Sequence, residues 1–270
     1  MFEDCRVLIK GAGDLATGVA WRLWHAGFPL VMTELPQPLA LRRCVAFAEA
    51  IYTGETSVEG ITARRVESAS AVAETWAQGV IPVIVDSQAT LLADLGPQVL
   101  VDAIMAKKNL GTHLDDAPLV IGLGPGFTAG VDVHVVIETN RGHYLGRALW
   151  SGSAQPDTGA PGLITGLDRE RVVRAPTRGV FHASRKIGDQ VSAGDRLGEV
   201  DHAPVLAPLS GVLRGLVHTG VLVENNLKIG DIDPRGDSNY CYTISDKALA
   251  IGGGVLEAIL VYLRGKKRGT

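Results

Sequence analysis

Arg6-Val7-Leu8-Ile9-Lys10-Gly11-Ala12-Gly13-Asp14-Leu15-Ala16-Thr17-Gly18 is the stretch on which the reading of the fold turns. An aliphatic run from Arg6 to Lys10 breaks at a glycine pair, and Thr17 to Ala26 then carries apolar residues at helical spacing. This predicts strand, tight turn and helix. Gly27 is placed as a C-terminal cap, and Phe28 to Thr33 reads as a second strand closing on Glu34. Within that βαβ unit Gly11, Gly13 and Ala16 fit the G-x-G-x-x-G/A dinucleotide pattern of tight turn, close approach to a pyrophosphate, and close helix-to-strand packing. Glu34, 21 residues beyond Gly13, stands where an acid would accept from ribose hydroxyls. The alternative is a glycine turn that serves only its own sheet. Asp14 weighs for that alternative, since a carboxylate suits an empty helix N-terminus and repels a phosphate. A phosphate loop of the G-x-x-x-x-G-K type is excluded, because Val19 follows Gly13 to Gly18 where lysine is required.

Working outward, Leu39 to Ile51 reads as helix, Ile61 to Val66 as strand and Ser68 to Gln78 as helix. Ile81 to Val85 is an apolar strand ending at Asp86-Ser87, and Val99 to Ile104 is another. The alternation predicts a doubly wound, Rossmann-like parallel sheet with ligands beyond the carboxyl ends of its strands. Asp86, Ser87 and Lys107 fall at or after such ends; helix caps and solvated loop charges are the competing reading. Gly122 to Gly130 holds four glycines and a proline in nine residues, so Gly124 and Gly126 either present amides to an anion or brace a rigid loop. Val131 to Glu138 alternates as a strand with a solvated face, turning back at Asn140-Arg141-Gly142 through His143-Tyr144-Leu145. Asp132, His134, Glu138 and His143 would be the metal ligands of that hairpin, against the plainer reading of an exposed polar face. No metal is assigned.

The second half repeats itself. Ala175-Pro176-Thr177-Arg178-Gly179-Val180 matches Ala207-Pro208-Leu209-Ser210-Gly211-Val212 at an offset of 32, which also relates Gly188 to Gly220 and Gly198 to Gly230. The pattern resembles the biotinyl and lipoyl carrier fold, a flattened barrel of two similar halves. That resemblance implies an all-β barrel-sandwich, but the joining hairpin, Glu199 to Val205, has no lysine to modify. Lys228 to Asp237 has the acidic spacing of a calcium loop and fails as one, since counting from Asp231 puts Arg235 at the fifth position and Tyr242 at the twelfth. Ile244 to Leu263 is apolar enough for a C-terminal helix packing back on the first domain. The expected domains are therefore 1–165, 166–236 and 237–270.

With 26 Lys+Arg against 29 Asp+Glu the net charge is −3, which disfavours a nucleic-acid partner. The sequence shows neither a signal-peptide pattern nor a long uninterrupted apolar run, so the expectation is a cytoplasmic protein away from membranes. Cys5, Cys44 and Cys241 read as free thiols.

Lys10 to Gly18, Gly122 to Phe127, Glu138 to His143, Gly230 to Arg235, Ile244 to Lys247 and Gly252 to Ala258 together resemble one family, the YqeB-type accessory proteins of the selenium-dependent molybdenum hydroxylase system. The resemblance runs over nearly the whole chain. It implies a maturation factor that binds a nucleotide or a molybdopterin dinucleotide, with a molybdenum hydroxylase or its maturation proteins as partner. It supplies no catalytic residue. The candidate cofactors are NAD and a molybdopterin dinucleotide. Two alternatives stand: an NAD(P)-dependent oxidoreductase drawing its proton donor from Lys107, His113 or His134, and a non-catalytic scaffold or chaperone. For selenium handling the candidate nucleophile is Cys241, in an irregular segment where backbone donors and Lys247 would lower its pKa.

Overall fold

The computed structural model describes residues 2–157, 165–167 and 169–268. The chain divides into two compact units, one of Met1–Pro36, Ala46–Thr158 and Ile244–Thr270, the other of Gln37–Val45 and Gly159–Thr243.

The first unit starts with β1 (Val7–Lys10), α1 (Asp14–His25) and β2 (Leu30–Glu34). All four residues of β1 are buried, as a central parallel strand covered on both faces requires. α1 ends where the glycine predicts. Gly27 has φ +85°, its N–H donates to Trp24 O at 2.9 Å, and Phe28 N–H donates to Leu23 O at 3.1 Å, the paired bonds of a Schellman cap. Then follow α2 (Ala50–Thr53), β3 (Glu55–Val58), β4 (Ile61–Val66), α3 (Val72–Ala77), β5 (Ile81–Val85), α4 (Leu91–Leu95), β6 (Val99–Asp102) and β7 (Leu119–Leu123). Short strands β8 (Thr128–Ala129), β9 (Val135–Ile137), β10 (Ala148–Leu149) and β11 (Gly152–Ser153) complete this stretch. The main sheet has nine strands in the order β10-β9-β7-β6-β1-β2-β5-β4-β3, parallel except for the edge pairs β9–β10 and β3–β4.

Two expected elements are corrected. Leu39 to Ile51 is not one helix but two 3-10 turns, Arg43–Val45 and Phe47–Glu49, followed by α2. Leu41 O accepts from Leu216 N at 2.8 Å and Ala48 N–H donates to Ala12 O at 2.8 Å, so distant partners take groups that a local helix would use. Val131 to Glu138 is a strand only at β9, where consecutive residues Val135, Val136 and Ile137 are all fully buried beside β7. The apparent alternation described no solvated polar face: Val131 is 68% exposed, and Glu138 is 2% exposed.

The second unit contains β12 (Val172–Arg174), β13 (Gly179–Ala183), β14 (Gln190–Val191), β15 (Arg196–Val200), β16 (Ala203–Leu206), β17 (Gly211–Leu216), β18 (Leu222–Val223), β19 (Lys228–Asp233) and α5 (Asn239–Tyr242). Its strands form two antiparallel four-stranded sheets, β12-β19-β17-β14 and β16-β15-β13-β18. Shifting by the 32-residue repeat exchanges one sheet for the other. The register obeys it too: Gly198↔Val205 and Glu199↔Pro204 in one sheet correspond to Gly230↔Val173 and Asp231↔Val172 in the other. Between β15 and β16 the turn residues Asp201 and His202 both have positive φ, the geometry of a two-residue type I′ hairpin. Buried Asp231 pairs with Arg171, and fully buried Asp233 receives two hydrogen bonds from the Arg235 guanidinium.

The chain closes with α6 (Asp246–Arg268). It crosses α1 closely: a Cβ on Gly18 would lie 2.7 Å from Ala248 Cβ, and one on Gly252 would lie 2.7 Å from Gly18 O. Asn239–Lys266 is long and apolar enough to cross a membrane by length and composition, but Ile251, Val255, Ala258 and Ile259 are fully buried within the protein.

Candidate functional site

The order β7-β6-β1-β2-β5 reverses between β6 and β1, and the crest beyond their carboxyl ends is the place where open parallel sheets bind ligands. The glycine turn sits on this crest. Gly11 has φ +93°, and a Cβ there would come 3.1 Å from Ala103 O, so this glycine serves close approach of the chain to itself. Gly13, the N-cap of α1, has nothing within 4 Å of its Cβ position. Ala16 is buried, Asp14 occupies the first turn of α1, and Thr17 N–H donates to Gly13 O at 2.8 Å. Glu34 reaches back to the turn. Its carboxylate accepts from Ala12 N–H at 2.8 Å and Leu35 N–H at 3.0 Å, while burial pushes its pKa up. Holding the turn is therefore its visible task.

Beneath the crest lies a polar trio that the sequence reading did not single out. The Lys10 ammonium donates to Thr112 Oγ1 at 2.7 Å, and that hydroxyl donates to Asp102 Oδ2 at 2.6 Å. All three residues are buried. A charge at the end of each of two apolar strands was the available signal for Lys10 and Asp102; Thr112 gave none. Thr112 anchors a loop whose Met105 and Lys107 both have positive φ, a conformation costly for non-glycine residues. Lys107 is 58% exposed and pairs with Asp157 at 2.6 Å.

A second group gathers around Lys247 of α6. Burial, then Arg141, push its amine pKa down, while Asp14, Glu138 and Asp157 draw it back up. Arg141 grips Asp246 through two bonds of 2.7 and 3.0 Å. Glu138, buried, accepts from Asn140 N–H at 2.7 Å and Gln155 N–H at 2.8 Å. Lys247 was expected only as a neighbour of Cys241, and Arg141 and Asp246 went unmarked in the site reading, as nothing local distinguishes them from surface charges.

The remaining candidates have structural employment. A Cβ on Gly124 would fall on Thr139 Oγ1, and one on Gly126 would lie 2.7 Å from Lys108 Cα, so these glycines permit close packing of their own loop. Asp86 accepts from Leu91 N–H at 3.0 Å and Thr90 Oγ1 at 3.1 Å at the start of α4, with Ser87 exposed beside it. His113 caps the 3-10 turn Leu114–Asp116. His134 Nδ1 accepts from Val120 N–H at 3.0 Å, and burial pushes its pKa down. Among the described residues no three His, Cys, Asp or Glu side chains are placed to hold a metal.

The expected environment of Cys241 is corrected. It lies in α5, is 1% exposed, and burial pushes its thiol pKa up rather than down. Burial away from water disfavours the thiolate that selenium chemistry needs.

These features define a class: a mixed α/β protein with one large, mostly parallel sheet, further antiparallel sheets and a terminal helix. No family model matches the chain. It is 51% identical over 257 residues, 95% of its length, to "Uncharacterized protein YqeB" of Escherichia coli strain K12, which supports a YqeB-type family. The chain spans about half, 48%, of that relative. Among solved structures, a succinylglutamate desuccinylase/aspartoacylase of Rhodobacter sphaeroides shares 24% identity over 24% of this chain and 22% of its own, with a TM-score of 0.21. The ectoine utilization protein EutE (DoeB) of Ruegeria pomeroyi shares 12% identity over 84% of each chain, with a TM-score of 0.26. Scores so low carry no argument.

Proposed function

We propose that the first unit is a Rossmann-like domain that binds a nucleotide or dinucleotide where α1 meets the sheet crest. The observation that carries this is Gly13. It is the glycine of the turn whose Cβ position is open, and it caps a 12-residue helix whose first amides have no intrahelical partner. A phosphate-bearing cofactor such as NAD or a molybdopterin dinucleotide fits that opening. The α1 amides would hold its phosphates, with Lys247 offsetting the charge of Asp14. Bound there, such a group would supply hydride or metal-ligand chemistry of its own; the chain's part is to seat and orient it.

In keeping with the family resemblance, the chain then acts as an accessory factor in maturing selenium-dependent molybdenum hydroxylases, with the hydroxylase or its maturation proteins as partner. The second unit is read as a barrel-sandwich of the biotinyl/lipoyl type turned to docking, which the exchange of strands between its repeats supports. Its tip carries Asp201 and His202 and no attachment lysine. The oxidoreductase alternative gains nothing from the structure, since Lys107, His113 and His134 are each committed to other contacts.

Calorimetry against NAD, NADP, ATP, CTP and molybdopterin cytosine dinucleotide tests the reading. Binding of at least one is expected, weakened about tenfold or more in Gly13→Val, which puts side-chain atoms into the phosphate path. NADP is the least favoured, because its extra phosphate would approach Glu34. No heat with any of them at millimolar ligand ends the proposal.

A further inference from the structure

α6 turns one face to α1 and leaves the opposite face in solvent. There Gly253, Leu256, Glu257, Leu260, Val261 and Arg264 line a groove of about 390 Å³. Leu260 and Val261, adjacent and aliphatic, are 42% and 48% exposed, a contiguous patch rather than a scattered apolar residue. Glu257 and Arg264 stand seven residues apart, two helical turns, with the aliphatic pair between them. Among the described residues neither makes an ion pair.

We propose that this face is where two copies of the chain meet, their α6 helices antiparallel about a two-fold axis passing between Leu260 and Val261. Charge decides both the partner and the direction. Antiparallel pairing sets Glu257 against Arg264 of the second copy, and symmetry repeats the contact, while Leu260 packs on Val261. Parallel pairing would set Glu257 on Glu257 and Arg264 on Arg264. A lipid surface is a poorer occupant, since membrane-bound helices keep carboxylates off the apolar face and Glu257 lies within this groove.

Sedimentation analysis of the chain across about 1 to 100 µM, the range where interfaces of modest size associate, tests the proposal. The wild type should dimerise. Glu257→Arg and Arg264→Glu should each raise the dimer dissociation constant about tenfold or more, because each sets like charges face to face twice. The double variant Glu257→Arg/Arg264→Glu restores opposite charges and should return the constant to near wild type, with thermal melting unchanged in all three when compared at a concentration low enough to leave every form monomeric. A monomeric wild type overturns the proposal, as do single reversals without effect or a double variant that fails to recover. Binding of a monomeric wild type to phosphatidylcholine/phosphatidylglycerol vesicles would give the face to lipid and overturn it as well.

Discussion

Thr112 shows how much one hydroxyl can hold. It accepts from Lys10 and donates to Asp102, both buried, so Thr112→Val keeps the shape and leaves two polar groups short of a partner. The expected loss is about 1 to 3 kcal/mol in urea denaturation, the usual cost of an unmade buried hydrogen bond. A midpoint equal to wild type would show that the two Thr112 hydrogen bonds contribute no stability, since Lys10 and Asp102 keep their own ion pair at 3.7 Å. Glu34 makes the complementary case. Burial raises its folded-state pKa above the ordinary 4.5, so the folded protein binds the proton more tightly than the unfolded chain. Its contribution is thus full below 4.5 and is lost as pH rises through the raised value. Glu34→Gln keeps an acceptor for Ala12 N–H and removes the titration. Its denaturation midpoint should stay flat across the window in which the wild type declines; parallel profiles would refute this.

At the scale of elements, the crossing of α1 and α6 depends on bare backbone. Gly18 and Gly252 face each other's helices with no room for a side chain, whereas Gly253 has nothing within 4 Å of its Cβ position. Gly18→Val should therefore destabilise by about 1 to 3 kcal/mol or more, as overpacking against a backbone does. Gly253→Ala should stabilise by up to about 1 kcal/mol, the helix-propensity gap between the two residues. Thermal melts of the two variants moving in the same direction would contradict this account of the helix pair.

At the scale of the whole molecule, the second unit cannot be separated into its repeats. Each sheet takes two strands from each copy, so neither copy can complete a four-stranded sheet alone. Hydrogen exchange should accordingly show β13 and β17 opening together with similar protection, as one cooperative unit. Protection that collapses in one copy while persisting in the other would show independent halves. The first unit is also discontinuous in sequence, since Ile244–Thr270 returns to it after the second unit. That return brings Lys247 into electrostatic reach of Asp14, so the polar surroundings of the α1 N-terminus are built from both ends of the chain.

The sequence by itself determined the elements whose signals are local or self-similar. β1, the glycine turn, α1 with its Gly27 cap, and β2 follow from hydrophobic period and glycine placement, and the 32-residue repeat marked one unit of short strands occurring twice, which the two sheets repeat in their register. Gly13 was legible as a candidate for the same reason, being fixed by its position in the turn. Only the tertiary structure decided the rest. Leu39 to Ile51 lost its helix to Leu216 and Ala12, and Cys241 became a buried, weakly acidic thiol. Lys10 met Thr112 across 102 residues of sequence. Such outcomes turn on which distant backbone groups and charges arrive at a given point, and on how far water is excluded there, and neither quantity is written in a residue's own neighbourhood.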